Sequence, residues 1–515
     1  MTSTYEYIIV GAGPAGAVLA HKLGEKHAVL LLEAGENNDN DDLIKSANSN
    51  LYAHIPEYFW QGDCIPQRGT GGRSFAFTGG RLAGGGSSVN GEMYVRPTSH
   101  VLKEWERAGG LAWAPDKVTA RFKELEKFYG KRECNDIHGY DGRLQIRQAF
   151  VQPSALIDNL TAAIEEATGY PAIDDYNDPQ TPIGGFGRWQ LYQQPNGDRA
   201  SASMCFLSQE ALANKTVEIR YQTMAVKVLF NQQKEAVGVA YISRGESEKA
   251  YATEQVILSA GIHSTQLLML SGIGPEDILQ NAGVPVLHAN PNVGQHLADD
   301  AYVSAVFSIR PGDFDNWRKA DPNGKFAGGA FLPSPVSDAP QDQRSIQLIA
   351  AQVFDQYVYF SALCINPKSR GRLAIQSADP LKVMKCDYGF LRDPDDVRVL
   401  METVRNYIVS IGDALHKKDP AYTLMAPTDD VIADDAQLEK YIRSSFIHTY
   451  HDQCALKMGC ENAEGSVDGY GRVHGVGKLT VADASIIPYH TDGNPLAAAY
   501  MIGYTIAKHL LGEET

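Results

Sequence analysis

A glycine-rich turn close to the N-terminus limits the possible folds of this chain more than any other feature. The apolar run from Tyr7 to Val10 predicts a buried strand. The turn Gly11-Ala12-Gly13-Pro14-Ala15-Gly16 follows it and opens an Ala- and Leu-rich helix. A second apolar run, residues 28–32, predicts another strand and ends at Glu33. This order predicts a βαβ unit with a dinucleotide site.

Each glycine of the turn has its own physical task. Gly11 permits the sharp turn after the strand, Gly13 leaves the backbone open to a pyrophosphate, and Gly16 lets the helix pack against the sheet. The helix N-terminus then faces the phosphates. Glu33 lies where an acid accepts hydrogen bonds from ribose hydroxyls. The unit predicts a dinucleotide but does not by itself separate FAD from NAD.

Length, charge and cysteine content narrow the class of protein. The 515 residues exceed one ordinary core, and the net charge of -16 disfavours nucleic acid and anionic membranes as partners. The seven cysteines include no CxxC pair, which argues against a disulfide framework or a zinc site. The sequence shows neither a signal-like N-terminus nor a run as long as a membrane span. We therefore expect a cytoplasmic protein that uses no metal.

The order of predicted elements indicates two interleaved domains of an α/β protein. We assign residues 1–150, 201–300 and 446–515 to a Rossmann-like cofactor domain. Residues 151–200 and 301–445 form a discontinuous α+β substrate domain, which we expect to contain an antiparallel sheet backed by helices. The ends and the middle of the chain thus build the cofactor domain.

Local patterns predict further elements. Strands are expected at residues 217–220, 225–230, 236–242, 250–259 and 478–487, and helical structure at residues 105–129 and 495–511. The alternating aromatic stretch from Phe354 to Phe360 also predicts a strand. Its side chains would pack within a sheet or, alternatively, form an apolar wall of the substrate pocket.

Three more motifs follow the first. A second glycine cluster spans Gly79 to Asn90, and its glycine density indicates backbone bent around a ligand. The stretch Ser259 to Pro275 predicts strand, turn and helix with a glycine stop. The fourth motif, near the C-terminus, combines His451, Asp483-Ala484 and Asn494-Pro495.

In order and spacing, these four motifs resemble those of the glucose–methanol–choline (GMC) oxidoreductases, from about Tyr7 to Leu511. The resemblance implies FAD as the cofactor. Val89 holds the place where some members attach FAD to a histidine, so we expect noncovalent FAD. The resemblance implies these cofactor contacts: Gly11, Gly13, Pro14, Ala15, Gly16, Glu33, Arg81, Gly85, Gly86, Ser87, Asn90, Gly91, Val226, Ala260, Asp483, Ala484, Asn494 and Pro495.

The resemblance also implies a catalytic pair, His451 and Asn494. A histidine titrates near neutrality and can take the hydroxyl proton of an alcohol while hydride leaves for flavin N5. An asparagine amide can orient the alcohol oxygen as donor or acceptor. The chain departs from the family where Asp452 follows the histidine and where Tyr504 follows Gly503. Asp452 is placed to alter the pKa of the histidine, and both departures bear on substrate scope.

The other histidines are interpreted as structural residues or are given no role. His263, His296 and His474 are interpreted as core or surface residues. His448 and His490 lie near the catalytic motif without an assigned role. A metal site is rejected because no carboxylate completes a ligand set in the sequence.

Three functions remain open at this point. The first is FAD-dependent oxidation of a small-molecule alcohol to an aldehyde or ketone, with His451 as general base and oxygen or another acceptor. The second is a lyase of the same fold, of the hydroxynitrile lyase or fatty-acid photodecarboxylase type. The third is a noncatalytic flavoprotein. The sequence specifies neither the alcohol nor the oligomeric state.

Overall fold

The computed structural model describes residues 4–46, 55–77, 79–130, 137–148, 155–313, 315–316, 326–336, 338–354, 357–461 and 464–513. The helices are α1 Pro14–Leu23, α2 Asp42–Lys45, α3 Ser99–Gly109, α4 Pro115–Leu125, α5 Ala155–Thr168, α6 Ile262–Leu270, α7 Glu276–Asn281, α8 Pro394–Thr403, α9 Ser410–Lys418, α10 Asp429–Ala433, α11 Asp435–Ser445 and α12 Leu496–Leu510.

The strands are mostly short. They are β1 Thr4–Val10, β2 Val29–Leu32, β3 Glu126–Tyr129, β4 Leu144–Gln148, β5 Gly184–Phe186, β6 Gln190–Leu191, β7 Val217–Arg220, β8 Thr223–Phe230, β9 Ala236–Ser243, β10 Glu246–Leu258, β11 Ile273–Gly274, β12 His288–Ala289, β13 Ala301–Ser308, β14 Phe326–Leu332, β15 Ile346–Phe354, β16 Tyr357–Cys364, β17 Arg372–Ala374, β18 Lys385–Asp387, β19 Thr423–Ala426, β20 Ile447–His448 and β21 Leu479–Val481.

The first large sheet has the strand order β7-β2-β1-β10-β9-β8, and β21 also pairs with β10. Strands β7, β2, β1, β10 and β21 run parallel, whereas β9 and β8 continue the sheet antiparallel. β1 and β2 pair directly with α1 between them in sequence, so the predicted βαβ unit is confirmed. The buried parallel strands carry apolar residues on both faces, as strands covered on both sides do.

The second large sheet is antiparallel throughout, with the order β19-β13-β16-β15-β14-β5 and β20 paired to β13. Helices α5, α8, α9 and α11 pack against it. The predicted antiparallel sheet backed by helices is thus confirmed. Strand β5 falls in the predicted segment 151–200 and strands β13–β19 in 301–445, while the domain boundaries themselves stay a prediction.

The segment 105–129 is largely helical, as predicted, and only its last residues form strand β3. One other predicted element is wrong in extent. The predicted strand 478–487 stops at Val481, because the Asp483 carboxylate accepts a hydrogen bond from the Ser485 amide and starts a 3₁₀ turn, Ala484–Ile486. Alternation of apolar residues does not reveal such a capping bond.

The aromatic stretch 354–360 is a β-hairpin and not one strand. Strand β15 ends at Phe354, which pairs with Tyr357 at the start of β16. In β16, Val358 and Phe360 are buried and Tyr359 is exposed on the other face. None of the described side chains of this hairpin lines the cleft described below. Packing within the sheet is therefore the observed role of Val358 and Phe360.

The C-terminal helix α12 crosses α1 closely. A Cβ on Gly503 would lie 2.5 Å from the Ala15 carbonyl oxygen, so this crossing requires a glycine. Tyr504, the departure noted in the sequence, donates a hydrogen bond to Glu124 at 2.7 Å and does not line the cleft.

No helix within the described ranges is long and apolar enough to cross a bilayer.

Candidate active site

A cleft of about 540 Å³ opens along the carboxyl ends of the parallel strands. Its walls include Val10 at the end of β1, Leu32 at the end of β2, Ser259 after β10 and Asp483 after β21. Ligands of open α/β sheets bind at this edge. The cleft reaches from the first glycine turn to His451.

The geometry of the glycine turn fits a pyrophosphate. Gly11 has φ +98°, and a Cβ there would lie 2.6 Å from the Ser259 carbonyl oxygen. A Cβ on Gly16 would overlap the Gly11 carbonyl oxygen. Gly13 is different, because among the described residues its Cβ position has a single neighbour within 4 Å, the Ser259 carbonyl oxygen at 3.9 Å. No side chain caps α1, so its first amides face open space suited to phosphate.

The second glycine cluster packs on the first and forms the opposite wall. The Gly84 amide donates to the Ala12 carbonyl at 2.9 Å, and a Cβ on Gly85 would lie 3.0 Å from the Gly13 Cα. At Gly86 a Cβ would meet no atom of the described residues within 4 Å. The two loops thus form a narrow cradle of bare backbone, which is what close approach of a dinucleotide requires.

Glu33 is buried at the end of β2 and joins the turn to the cleft. Its carboxylate accepts hydrogen bonds from the Ala12 and Gly35 amides, both at 2.8 Å. Burial raises the pKa of Glu33 despite these bonds. The carboxylate lines the cleft, so it can also face a ribose, and that role stays a prediction.

Asp483 fixes the turn that leads into α6. The Gly261 amide and the Ser264 hydroxyl donate to its Oδ2 at 3.0 and 2.6 Å. Burial raises the pKa of Asp483 to about 6. The C-terminal segment is therefore tied directly to the turn after β10.

At the far end of the cleft, Asn90 lies beside Val89 and Gly91 on the wall. The buried Arg199 donates from Nη1 to Asn90 Oδ1 at 2.8 Å. The oxygen of Asn90 is thereby occupied, and its Nδ2 is the group left to face a ligand. Sequence reasoning missed Arg199, which lies 109 residues from Asn90 and carries no local motif.

The predicted catalytic pair is formed at this end. Asn494 Nδ2 donates to His451 Nε2 at 3.1 Å. On the other side of the ring, His451 Nδ1 donates to Asp300 Oδ2 at 2.6 Å. Asp299 Oδ1 accepts from the His451 amide at 2.9 Å. The pairing of Ala301 with His448, between β13 and β20, brings these segments together.

The environment raises the pKa of His451. Burial alone would lower it, but the hydrogen bond and the charge of Asp300 outweigh burial. The charges of Asp299 and Asp452 add to this effect, as the sequence indicated for Asp452. Burial and the charge of Asp299 raise the pKa of Asp452 itself to about 7. The site therefore holds a basic imidazole supported by carboxylates.

The sequence did not identify Asp299 and Asp300. They lie about 150 residues from the histidine motif and become neighbours only through the antiparallel sheet. The one local signal is an acidic pair directly before strand β13. The two carboxylates therefore stand beside the histidines, a proximity that the sequence did not indicate.

Three other histidines line the cleft or contact Asp299 or Asp300, which the sequence did not indicate. His263 lines the cleft and packs on Trp60 with ring centroids 4.5 Å apart. His490 Nε2 lies 3.3 Å from Asp300 Oδ1, and His448 Nδ1 is hydrogen-bonded to Asp299 at 3.0 Å.

In the part of the chain that the structure describes, no group of His, Cys, Asp or Glu could hold a metal ion.

The predicted site residues line the cleft, except for Gly16, Arg81, Ser87 and Val226. Gly16 packs α1 against the turn, and the Arg81 guanidinium lies 5.2 Å from the Trp60 ring. The Ser87 hydroxyl donates to the Gly84 carbonyl at 2.6 Å. The fourth, Val226, follows the lining residues Thr223 to Ala225. The cofactor roles of all predicted residues stay predictions.

A backbone cradle suited to a dinucleotide, with an imidazole–amide pair at its far end, is the arrangement expected of a dinucleotide-dependent oxidoreductase. The chain matches the N- and C-terminal GMC oxidoreductase family models over residues 5–302 and 367–503. It belongs to the GMC oxidoreductase family.

The similar proteins agree with this assignment. An oxygen-dependent choline dehydrogenase of Photobacterium profundum is 30% identical, over 99% of this chain and 94% of its own. An alcohol dehydrogenase (acceptor) of Pseudomonas putida is 30% identical, over 98% and 95%. The crystal structure of pyridoxine 4-oxidase from Mesorbium loti has 25% identity and a TM-score of 0.86, covering 99% and 100%. The protein is an FAD-dependent enzyme that oxidises CH–OH donors, and nothing in these comparisons supports the lyase alternative.

Proposed function

We propose that His451 is the general base for oxidation of a small-molecule alcohol, with Asn494 binding the alcohol oxygen. The observation that carries this proposal is the hydrogen bond from His451 Nδ1 to the Asp300 carboxylate at 2.6 Å. A carboxylate only accepts hydrogen bonds, so the proton of the neutral ring stays on Nδ1. Nε2 therefore presents its one lone pair toward Asn494, whose Nδ2 donates to it at 3.1 Å. When the alcohol binds, its hydroxyl replaces this bond and can give its proton to Nε2.

FAD, when bound, supplies the hydride acceptor for this oxidation. The chain's own residues prepare the donor. As the hydroxyl loses its proton to His451 Nε2, negative charge develops on the alcohol oxygen, and the Asn494 amide stabilises it. Asp300 stabilises the imidazolium that forms, because its charge lies on the other side of the ring. We propose oxygen or another acceptor as the final oxidant.

The first test is anaerobic bleaching of the flavin by a panel of alcohols that includes choline, which the names of several relatives suggest. We expect at least one alcohol to bleach the flavin, with a rate that rises with pH. The base must be neutral, and the pKa of His451 is raised, so the midpoint lies above that of an ordinary histidine. No bleaching by any alcohol would contradict the proposal.

A matched pair of variants tests the origin of that midpoint. Asp300→Asn removes the charge that opposes burial, so the midpoint should move to lower pH and the rate should fall. Asp396→Asn is the control, since Asp396 is also buried but binds the Lys368 and Ser369 amides outside the cleft. Equal pH profiles in the wild type and Asp300→Asn would exclude Asp300 as the cause.

We further propose that FAD is held noncovalently. Val89 lines the cleft beside Asn90, and its side chain has no nucleophile for a bond to the flavin. Precipitation of the holoenzyme with trichloroacetic acid should leave the yellow colour in the supernatant. Yellow colour in the protein pellet, persisting after washing in denaturant, would show a covalent link.

The cytoplasmic location also stays a proposal. Its support is the cysteine pattern, together with the free thiols of the six described cysteines.

A further inference from the structure

Gln347 contacts the catalytic amide from outside the cleft. It lies on β15 of the antiparallel sheet, is fully buried, and is absent from the cleft wall. Its Nε2 donates to Asn494 Oδ1 at 3.0 Å. The residue lies 147 positions before Asn494, so only the docking of the two sheets brings them together. Neither the sequence motifs nor the proposed base mechanism uses this residue.

A chain of hydrogen bonds with one direction runs through the pair. It begins at Asp300, which can only accept and so keeps the proton of His451 on Nδ1. His451 Nε2 then carries a lone pair and needs a donor, which Asn494 Nδ2 supplies at 3.1 Å. Asn494 must consequently turn its oxygen away from the ring. That oxygen needs a donor in turn, and Gln347 Nε2 occupies this place.

We propose that Gln347 is a positioning residue that locks the Asn494 amide with its NH₂ group toward His451 and the substrate oxygen. This inference rests on the proposed function and deepens it. It decides the question that the sequence left open: Asn494 acts on the alcohol oxygen as a donor. A donor stabilises the negative charge that develops as the proton leaves, whereas an acceptor would oppose it.

The reversed orientation is disfavoured by the same contacts. It would place Asn494 Oδ1 against the lone pair of His451 Nε2, two acceptors 3.1 Å apart. In the observed orientation Gln347 Oε1 is buried without a hydrogen-bond partner among the described residues. If the Asn494 amide were reversed, Gln347 would have to turn its oxygen toward Asn494 Nδ2. Its NH₂ group would then be the buried group without a partner, and buried donors without a partner are rarer than buried acceptors without one.

A double-mutant cycle tests whether Gln347 acts through Asn494. Gln347→Met keeps the approximate shape but cannot donate. We expect it to slow anaerobic flavin reduction by about 10- to 100-fold, because a misplaced catalytic group costs this much. In an Asn494→Ala background the same change should cost nothing further, since the group it positions is gone. Gln67→Met, at another buried glutamine outside the cleft, is the control and should leave the rate unchanged.

A second measurement reads the orientation without turnover. The pH titration of His451 is followed by ¹⁵N NMR in histidine-labelled resting holoenzyme, with the signal assigned by its loss in His451→Asn. A donor at Nε2 favours the neutral ring. Gln347→Met introduces no charge, so a rise in the midpoint would report loss of the Asn494 donor. The rise should be absent when Asn494→Ala and the double variant are compared.

The outcomes separate the two proposals. Equal losses of rate in both backgrounds, or an unchanged titration of His451 in Gln347→Met, would overturn the positioning role. If no alcohol reduces the wild-type flavin, the proposed function fails, and the NMR titration still decides the orientation of Asn494.

Discussion

Replacing His451 with asparagine is expected to lower the rate constant of flavin reduction by about 10²- to 10⁴-fold, the usual contribution of a positioned general base. Asparagine cannot take the proton that neutral imidazole accepts at Nε2. FAD should stay bound, because the glycine cradle lies at the other end of the cleft. Stopped-flow absorbance of the anaerobic holoenzyme measures the rate, and the flavin spectrum measures occupancy.

A second histidine gives the control for this prediction. His474 binds the Gly459 carbonyl through Nε2 at 2.9 Å and does not line the cleft. His474→Asn should therefore leave flavin reduction unchanged. Full turnover in His451→Ala would show that another group accepts the proton.

The second large effect concerns cofactor capture at Gly13. A Cβ at this position has room in the protein, since its nearest neighbour is 3.9 Å away, but it points into the cradle. Gly13→Ala should fold normally and bind FAD more weakly by about 1–3 kcal/mol, the typical cost of a forced extra methyl group, or roughly 5- to 150-fold. Fluorescence titration of the deflavinated protein with FAD measures the change.

Gly16→Ala separates packing from binding. There the Cβ would overlap the Gly11 carbonyl, so the protein itself should lose stability. Thermal unfolding of the two apo variants should show a lower Tm for Gly16→Ala and an unchanged Tm for Gly13→Ala. A lowered Tm in both would mean that Gly13 serves packing and not the pyrophosphate.

Local sequence patterns were sufficient for the elements that depend on neighbours in the chain. The βαβ unit follows from two apolar runs and three glycines, and its geometry is confirmed. The pair His451–Asn494 was predicted through the family resemblance, and the structure places the two side chains in contact. The residues that predict the βαβ unit lie close together in the chain, and the two residues of the pair belong to one set of family motifs.

The supporting residues escaped prediction for a physical reason. Asp300 and Gln347 reach the pair only after β13 and β15 have joined one sheet and that sheet has docked on the cofactor domain. The sequence around a carboxylate or amide near a strand does not indicate which distant residue that group will contact. The pairing of Phe354 with Tyr357 was missed because the alternation of aromatic residues continues from β15 into β16.

The position of β21 affects how the enzyme is made. This strand, contributed by the C-terminal segment, pairs beside β10, and Asp483 directly after it fastens the turn into α6. A chain still on the ribosome lacks both, together with the helix that covers α1. The cleft is therefore complete only after residues 479–510 have been synthesised and packed, which places assembly of the cofactor site late in translation.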